Sequence, residues 1–395
     1  MEVFSSVQLN ASQDKPTIAL VAGEASGDLL GAHLIAALRQ RLPHAEFVGI
    51  GGPKMVSAGL RALFPMEKLA VNGYIEVLRH FREILGIRRK LIRHFKDHPP
   101  DVFIGVDAPD FNLTVELALK RRGIPTLHYV SPSIWAWRGE RIRKIGRAAS
   151  HVMALFPFEK PLYDAAKIPC TYVGHPLADA LPAHPNRYAM RELLKLRQDA
   201  TIFALLPGSR QSELRYMTEL FIRTAQIIAG KNPCAHFLVP LVSRETRHYF
   251  EEALYRMGAQ DLPLTILFGH AHDAMIAANA VLVASGTATL EAALLGRPMV
   301  ITYKMSPGSW RIMKRKGYLP YVGLPNILAG RFVVPEILQD DATPENLAQA
   351  LQNGVNDAVV TARLESQFAQ MRRELQQNTA ERAVAAVLPY LGAAA

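Results

Sequence analysis

The stretch 17-TIALVAGEASGDLLGAHL-34 sets the architecture. An apolar run, Ile18 to Ala22, meets a glycine loop, and a helix-like run follows from Leu29. Strand, glycine loop and helix open an α/β unit, and such loops usually cradle a phosphate. This loop instead carries Glu24 and Asp28, and neither Lys nor Arg. The alternation continues, with strand candidates at 46–50, 102–106, 125–130, 151–155 and 170–173. The segment 178-ADALPAHPNRYAM-190 breaks it with prolines and polar residues, and is the expected domain boundary. A second series starts at 201-TIFALLPGSR-210 and runs through 236–240, 264–268, 280–284 and 298–302.

Strands regularly followed by helices imply parallel sheets covered on both faces. The expected fold class is therefore α/β: two Rossmann-like domains whose parallel sheets face a cleft, with a C-terminal helical tail. Ligands of such sheets bind beyond the carboxyl ends of the strands. The expected divisions are a disordered lead at 1–16, a first domain at 17–184, a second at 185–343 and C-terminal helices at 344–395.

Composition narrows the function. With 395 residues, 49% of them hydrophobic, the chain can bury two cores. It has no apolar run of about 18 residues, so no membrane span is expected. The first sixteen residues lack the apolar stretch of a signal peptide. Cys170 and Cys234 are the only cysteines and have no metal-ligand spacing, which fits a cytosolic address without disulfides. A formal charge of +10 favours an anionic partner: nucleic acid, phosphorylated substrate or membrane surface.

The second half carries the nucleotide signals. In 201-TIFALLPGSRQSELR-215, Gly208 permits a tight turn, Ser209 offers a hydroxyl and an N–H, and Arg210 offers a fork for phosphate oxygens. In 280-AVLVASGTATLEAALL-295, Ser285, Gly286 and Thr287 form a small-residue loop at a helix N-terminus, which favours an anion. Glu291, one turn further in, suits the two hydroxyls of a ribose. Neither loop is a Walker A, and no GxGxxG with a downstream acid supports a nicotinamide cofactor. No cofactor and no metal are expected.

The first half carries carboxylates. Val102 to Val106 ends at Asp107-Ala-Pro-Asp110-Phe-Asn112, which puts Asp107 at the end of a buried parallel strand, where it can accept a proton from a hydroxyl nucleophile. In 127-LHYVSPSIWAWRGERIRKIGR-147, Trp135 and Trp137 can wall a sugar ring or an acyl chain, beside Ser131 and a basic run from Arg138. The segment 74-YIEVLRHFREILGIRRKLIRHFK-96 interleaves basic residues with Val77, Leu78, Phe81, Ile84 and Leu85. It reads equally as a core-facing helix with a solvated basic side or as a helix docking on an anionic membrane.

The blocks VAGEASGDLLG, IGVDAPDFN, HYVSPSIWAWR, FPFEK, GHPLAD, LLPGSR, ASGTATLE and YVGLPNILAGR, in this order between Thr17 and Gly330, resemble the lipid A disaccharide synthase family of glycosyltransferases. The resemblance implies a B-type glycosyltransferase fold and a domain-exchanged homodimer. It implies a cytoplasmic protein, peripheral on the inner membrane. The implied donor is UDP-2,3-diacylglucosamine and the implied acceptor 2,3-diacylglucosamine 1-phosphate, joined β-1,6 with inversion and without a metal. Asp107 is then the first choice for the base, with Glu24 and Asp28 as positioning groups or substitutes. Gly208, Ser209, Arg210, Ser285, Gly286, Thr287, Glu291 and Asn326 fall to the UDP side. Ser26, Asn112, Ser131, Trp135, Trp137 and Arg138 fall to the acceptor side. The rivals are another UDP-sugar enzyme on the same fold, such as an epimerase, and a basic nucleic-acid-binding protein. The second lacks any recognised reader motif.

Overall fold

The computed structural model describes residues 15–69, 74–136 and 139–392, apart from the side chains of residues 74–81, 312 and 316. The chain forms two compact units, one built from the residues up to Asp179 together with those from Leu375 onward, the other from Ala180–Glu374.

The first unit holds β1 (Thr17–Ala22), β2 (Glu46–Gly51), β3 (Leu60–Pro65), β4 (Val102–Val106), β5 (Thr126–Tyr129), β6 (His151–Ala154) and β7 (Cys170–Tyr172). They form one parallel sheet in the order β3-β2-β1-β4-β5-β6-β7. β1 and β4 are buried along nearly their whole length, which is why both read as unbroken apolar runs. The helix Ala25–Arg41 buries Leu30, Leu34, Ile35 and Leu38, a helical repeat that packs one face on the sheet.

The second unit holds β8 (Thr201–Leu206), β9 (Ala235–Leu241), β10 (Leu264–Phe268), β11 (Ala280–Ala284), β12 (Met299–Tyr303) and β13 (Glu336–Leu338). They pair in parallel in the order β10-β9-β8-β11-β12-β13. Short apolar strands alternate here with helices such as Gln211–Lys231, which buries Leu214, Met217, Phe221, Ala225 and Ile228. Each fully buried Leu, Met, Phe or Ile side chain among these contributes about 1.5–3 kcal/mol of transfer free energy.

Both sheets wind outward from a central strand in one direction and then return to its other side. That places a topological switch point between β1 and β4 in the first unit and between β8 and β11 in the second. Ala22 pairs with Val106 at one, and Leu206 with Val283 at the other. Strands at a switch point send their following loops to opposite faces, which leaves a crevice at their carboxyl ends.

The helical tail divides. The helix Pro344–Asn356 packs into the core of the second unit through Leu347, Ala348 and Leu351, and Thr379–Val387 packs into the core of the first. The helix Tyr74–Asp97 sends Ile87, Leu91 and Phe95 into the first core, with Phe95 edge-on to Phe103. Among the described residues no helix is long and apolar enough to cross a membrane.

Candidate active site

The first switch point is built of carboxylates, and they are held in different ways. Glu24 is the extended residue that starts the helix Ala25–Arg41, and its side chain and that of Ser26 are exposed. Asp28 is buried. Its Oδ1 accepts from the N–H groups of Gly52 (2.8 Å) and Met55 (3.0 Å), and its Oδ2 accepts from Lys54 N–H (3.1 Å). It thus caps the start of the helix Pro53–Ala58 and ties the first loop to the second crossover. Glycine makes this possible at Gly52, where a Cβ would stand 2.6 Å from Asp28 Oδ2.

Asp107 stands at the end of β4. Its N–H continues the ladder to Tyr129 O at 2.8 Å, but its own φ of 52° and the 44° of Ala108 are left-handed. Two successive non-glycine residues in that region are strained. Asn112 restrains them. Fully buried, its Nδ2 donates to Asp107 O (2.8 Å) and to Val21 O (3.0 Å), which pins the ends of β4 and β1 together. Asn112 therefore shapes the turn from below and offers no exposed atom to a ligand. Burial pushes the Asp107 carboxyl above the usual carboxylate range, while nearby His128 and the Ala108 N–H pull the other way. Asp110 is exposed and accepts from Arg141 at 2.8 Å.

The aromatic segment around Trp135 is ordered through a glutamate that the sequence reading did not single out. Trp135 donates Nε1–H to Glu159 Oε1 at 3.0 Å, and Phe156 N–H donates to Glu159 Oε2 at 3.0 Å. The Trp135 ring meets Phe158 edge-on, and Ser131 Oγ bonds the Tyr163 hydroxyl at 2.7 Å. Burial pushes Glu159 up to about 7, against the hydrogen bonds it accepts. Trp137 and Arg138 lie outside the described residues. So do the side chains of Val77, Leu78 and Phe81. Ile84 lies against the core of the first unit, and Leu85 is half-buried.

The second switch point presents donors. Gly208 has a φ of 124° and passes directly over Glu213, whose Oε2 accepts from the N–H groups of Ser209 (3.0 Å) and Arg210 (3.2 Å). This is the helix-side half of a capping box, legible in sequence as Glu three residues after Arg210. The carboxylate fixes the loop, and the Ser209 and Arg210 side chains remain exposed. At β11, Ser285 Oγ donates to Val322 O at 3.0 Å, and Gly286 and Thr287 are exposed at the start of the helix Thr287–Leu294. Glu291, one-fifth exposed, faces His272 at 3.5 Å and raises the imidazole above its ordinary value through their hydrogen bond.

Asn326 is fully buried and its amide is saturated. Nδ2 donates to Val334 O and Glu336 Oε1, and Oδ1 accepts from Val333 and Val334 N–H. Glu336 accepts in turn from Val322 and Gly323 N–H. The pair shapes the segment that Leu324 N–H joins to Thr289 Oγ1 at 3.3 Å, beside the loop of Ser285, Gly286 and Thr287. Among the described residues no group of three or more His, Cys, Asp or Glu could hold a metal ion.

Two parallel-sheet units, each with its loops gathered at a switch point, define the fold class of B-type glycosyltransferases and UDP-sugar epimerases. Solved structures agree at the level of fold. Acinetobacter baumannii MurG aligns with a TM-score of 0.55 at 16% identity, over 95% of this chain and 99% of that one. A putative UDP-N-acetylglucosamine 2-epimerase from Listeria monocytogenes aligns with a TM-score of 0.65 at 13% identity, over 95% and 96%. Sequence comparison is more specific. The family model described as lipid-A-disaccharide synthetase matches residues 18–387. The lipid-A-disaccharide synthase of Methylobacillus flagellatus is 58% identical over 376 residues, 95% of this chain and 100% of the relative. That of Aromatoleum aromaticum is 59% identical over 374 residues, 95% and 96%. The chain belongs to the lipid-A-disaccharide synthase family.

Proposed function

We propose that the protein transfers 2,3-diacylglucosamine from UDP to the 6-hydroxyl of 2,3-diacylglucosamine 1-phosphate, with inversion, giving the β-1,6-linked disaccharide 1-phosphate of lipid A synthesis. Family membership supports the reaction. The observation that supports the assignment of roles is the pair of switch points: a strained, half-buried Asp107 at one, and loops rich in N–H groups with Arg210 at the other.

In this reading Asp107 accepts the proton of the attacking hydroxyl while that oxygen bonds to the anomeric carbon. The bond to UDP breaks with its electron pair on the diphosphate. Arg210, Ser209 and the first N–H groups of the helix Thr287–Leu294 take up that charge, an electrostatic role that needs no metal. Glu291 receives the ribose hydroxyls. Glu24 and Ser26 address the acceptor sugar, and Trp135, Trp137 and Arg138 line its acyl or phosphate end. Asp28, Asn112, Ser131 and Asn326 act through the loops they brace.

Acylated substrates reside at a bilayer, so the proposal includes a peripheral seat on the cytoplasmic face of the inner membrane. The helix Tyr74–Asp97 exposes Arg82, Arg89, Lys90, Arg93 and Lys96, which suits an anionic surface. A domain-exchanged homodimer belongs to the same proposal. The test supplies purified protein with the diacylated UDP-sugar and the 1-phosphate acceptor. Disaccharide and UDP form in equal amounts if the reading holds. Turnover of the UDP-sugar without acceptor would replace it with an epimerase.

A further inference from the structure

Beneath the Asp107 turn lies a histidine–carboxylate pair that the proposed mechanism does not use. His128 Nδ1 and Glu116 Oε1 are 2.6 Å apart, and both side chains are fully buried. His128 sits on β5 opposite Gly105 of β4, two residues before Asp107. Glu116 comes from the helix Pro109–Lys120, one turn beyond Asn112. The missing side chain of Gly105 makes the room: a Cβ there would collide with Glu116 Oε1 and stand 2.8 Å from the Asn112 Cβ. Residues i and i+2 of a strand share a face, so Gly105, His128 and Glu116 occupy the face along which β4 runs out to Asp107.

Three buried polar atoms here lack a partner in the protein: His128 Nε2, Glu116 Oε2 and Asn112 Oδ1. Buried polar atoms are paired in the great majority of cases, so a cluster of exceptions calls for an explanation. An ion pair also adds little to the stability of a core compared with apolar residues of the same volume. Its placement against one particular carboxylate calls for another explanation.

We propose that His128 and Glu116 are positioning residues for Asp107: Glu116 keeps the imidazole charged, and the imidazolium keeps the Asp107 carboxylate ionised and ready to accept a proton. This rests on the reading of Asp107 as the base. The electrostatics agree in direction. Burial opposes charge on His128, but Glu116 outweighs it and the ring holds its proton above the ordinary histidine value, with Asp107 adding to the effect. Burial likewise opposes charge on Asp107, and His128 is the first group that counters it. Lys120, on the same helix, senses Glu116. Glu24, on the adjoining β1 loop, and Asp110, paired with Arg141, complete the ionisable surroundings.

The test is the pH profile of kcat/KM for His128→Gln, Glu116→Gln and the double variant, which keeps a neutral hydrogen-bonded pair in the same volume. Each moves the acidic limb upward by roughly one pH unit, the scale of a lost opposite charge near a carboxylate. Activity recovers toward wild type at higher pH, and the double variant shifts no further than either single one. A loss by the same factor at every pH, with the limb unmoved, overturns the proposal. Should a variant fail to fold, the ¹⁵N spectrum of histidine-labelled wild type decides: His128 must carry protons on both nitrogens at neutral pH, and a neutral ring overturns it. Asp107→Asn separates the two readings. If it stays active, the base assignment fails. If it is inactive while the limb in His128→Gln does not move, only the role of the pair fails.

Discussion

The two switch points occupy the same place in two sheets of the same winding, yet they are furnished in opposite ways. The first gathers carboxylates and braces them with buried side chains: Asn112 under the Asp107 turn, and Asp28 across to the helix Pro53–Ala58. The second gathers backbone N–H groups and an exposed arginine, with Glu213 and the Asn326–Glu336 pair behind them. Topology chooses where ligands bind, and the loop residues choose the chemistry. The difference also separates geometry from affinity. Under the proposed roles, a change at the first site disturbs the aim of a reacting group, whereas a change at the second weakens the hold on an anion.

Substitutions can break that separation. The largest effect is expected at Asp107→Asn, which keeps the shape and removes the proposed base: turnover falls by at least about 100-fold, while calorimetry shows UDP affinity unchanged. A matching loss of UDP affinity would merge the two sites. Next comes Arg210→Ala, which weakens UDP binding by roughly 1.5–3 kcal/mol, the scale of hydrogen bonds to a charged group. Unaltered affinity there would move the diphosphate elsewhere.

Asp28→Ala is expected to act on the fold rather than on the nucleotide. Removing a buried cap leaves three N–H groups unpaired and lowers stability by about 1–2 kcal/mol. The readout is a lower melting temperature with UDP affinity intact. A normal melting temperature with lost activity would instead return Asp28 to direct contact with the acceptor.

The last expected effect is a pH slope. The folded chain holds the Glu159 proton up to about 7, against an ordinary value of 4.5, so this group lowers stability as pH rises between the two. His175, also buried, is held down to about 4 from 6.5, so it raises stability with pH across that window. The informative quantity is therefore the difference between wild-type and Glu159→Gln melting curves. Wild type should lose ground to the variant between about pH 4.5 and 7. Parallel curves would show that Glu159 is ionised throughout.

Much of this was legible in the chain. Central strands are continuous apolar runs because both faces are covered, so β1, β4, β8 and β11 announce themselves, whereas the pairing of β1 with β4 and of β8 with β11, which makes the switch points, is a tertiary fact that the runs do not encode. β3 and β13 were not legible: one is an edge strand with Arg61 and Ala62 exposed, and the other has only three residues. The loops that follow the central strands were equally plain. What stayed hidden was which polar residues face inward. Asn112 and Asn326 look like ligand contacts in a motif, yet both are fully buried with their amide nitrogens bonded inside the protein. His128 and Glu116 meet only because Gly105 clears the space between them, a relation across three elements that no local pattern encodes.

The helix Thr379–Val387 gives Ala383, Val384, Ala386 and Val387 to the core of the first unit. Those side chains leave the ribosome only after all of residues 180–374 have been made. Domains made first generally fold first during synthesis. Here the order of completion is reversed: the second unit is contiguous and can close as it emerges, while the first must wait with a gap in its apolar interior. The nascent chain thus carries its second unit complete before its first, and the face of the helix Ala25–Arg41 that Thr379–Val387 covers stays open in the interval.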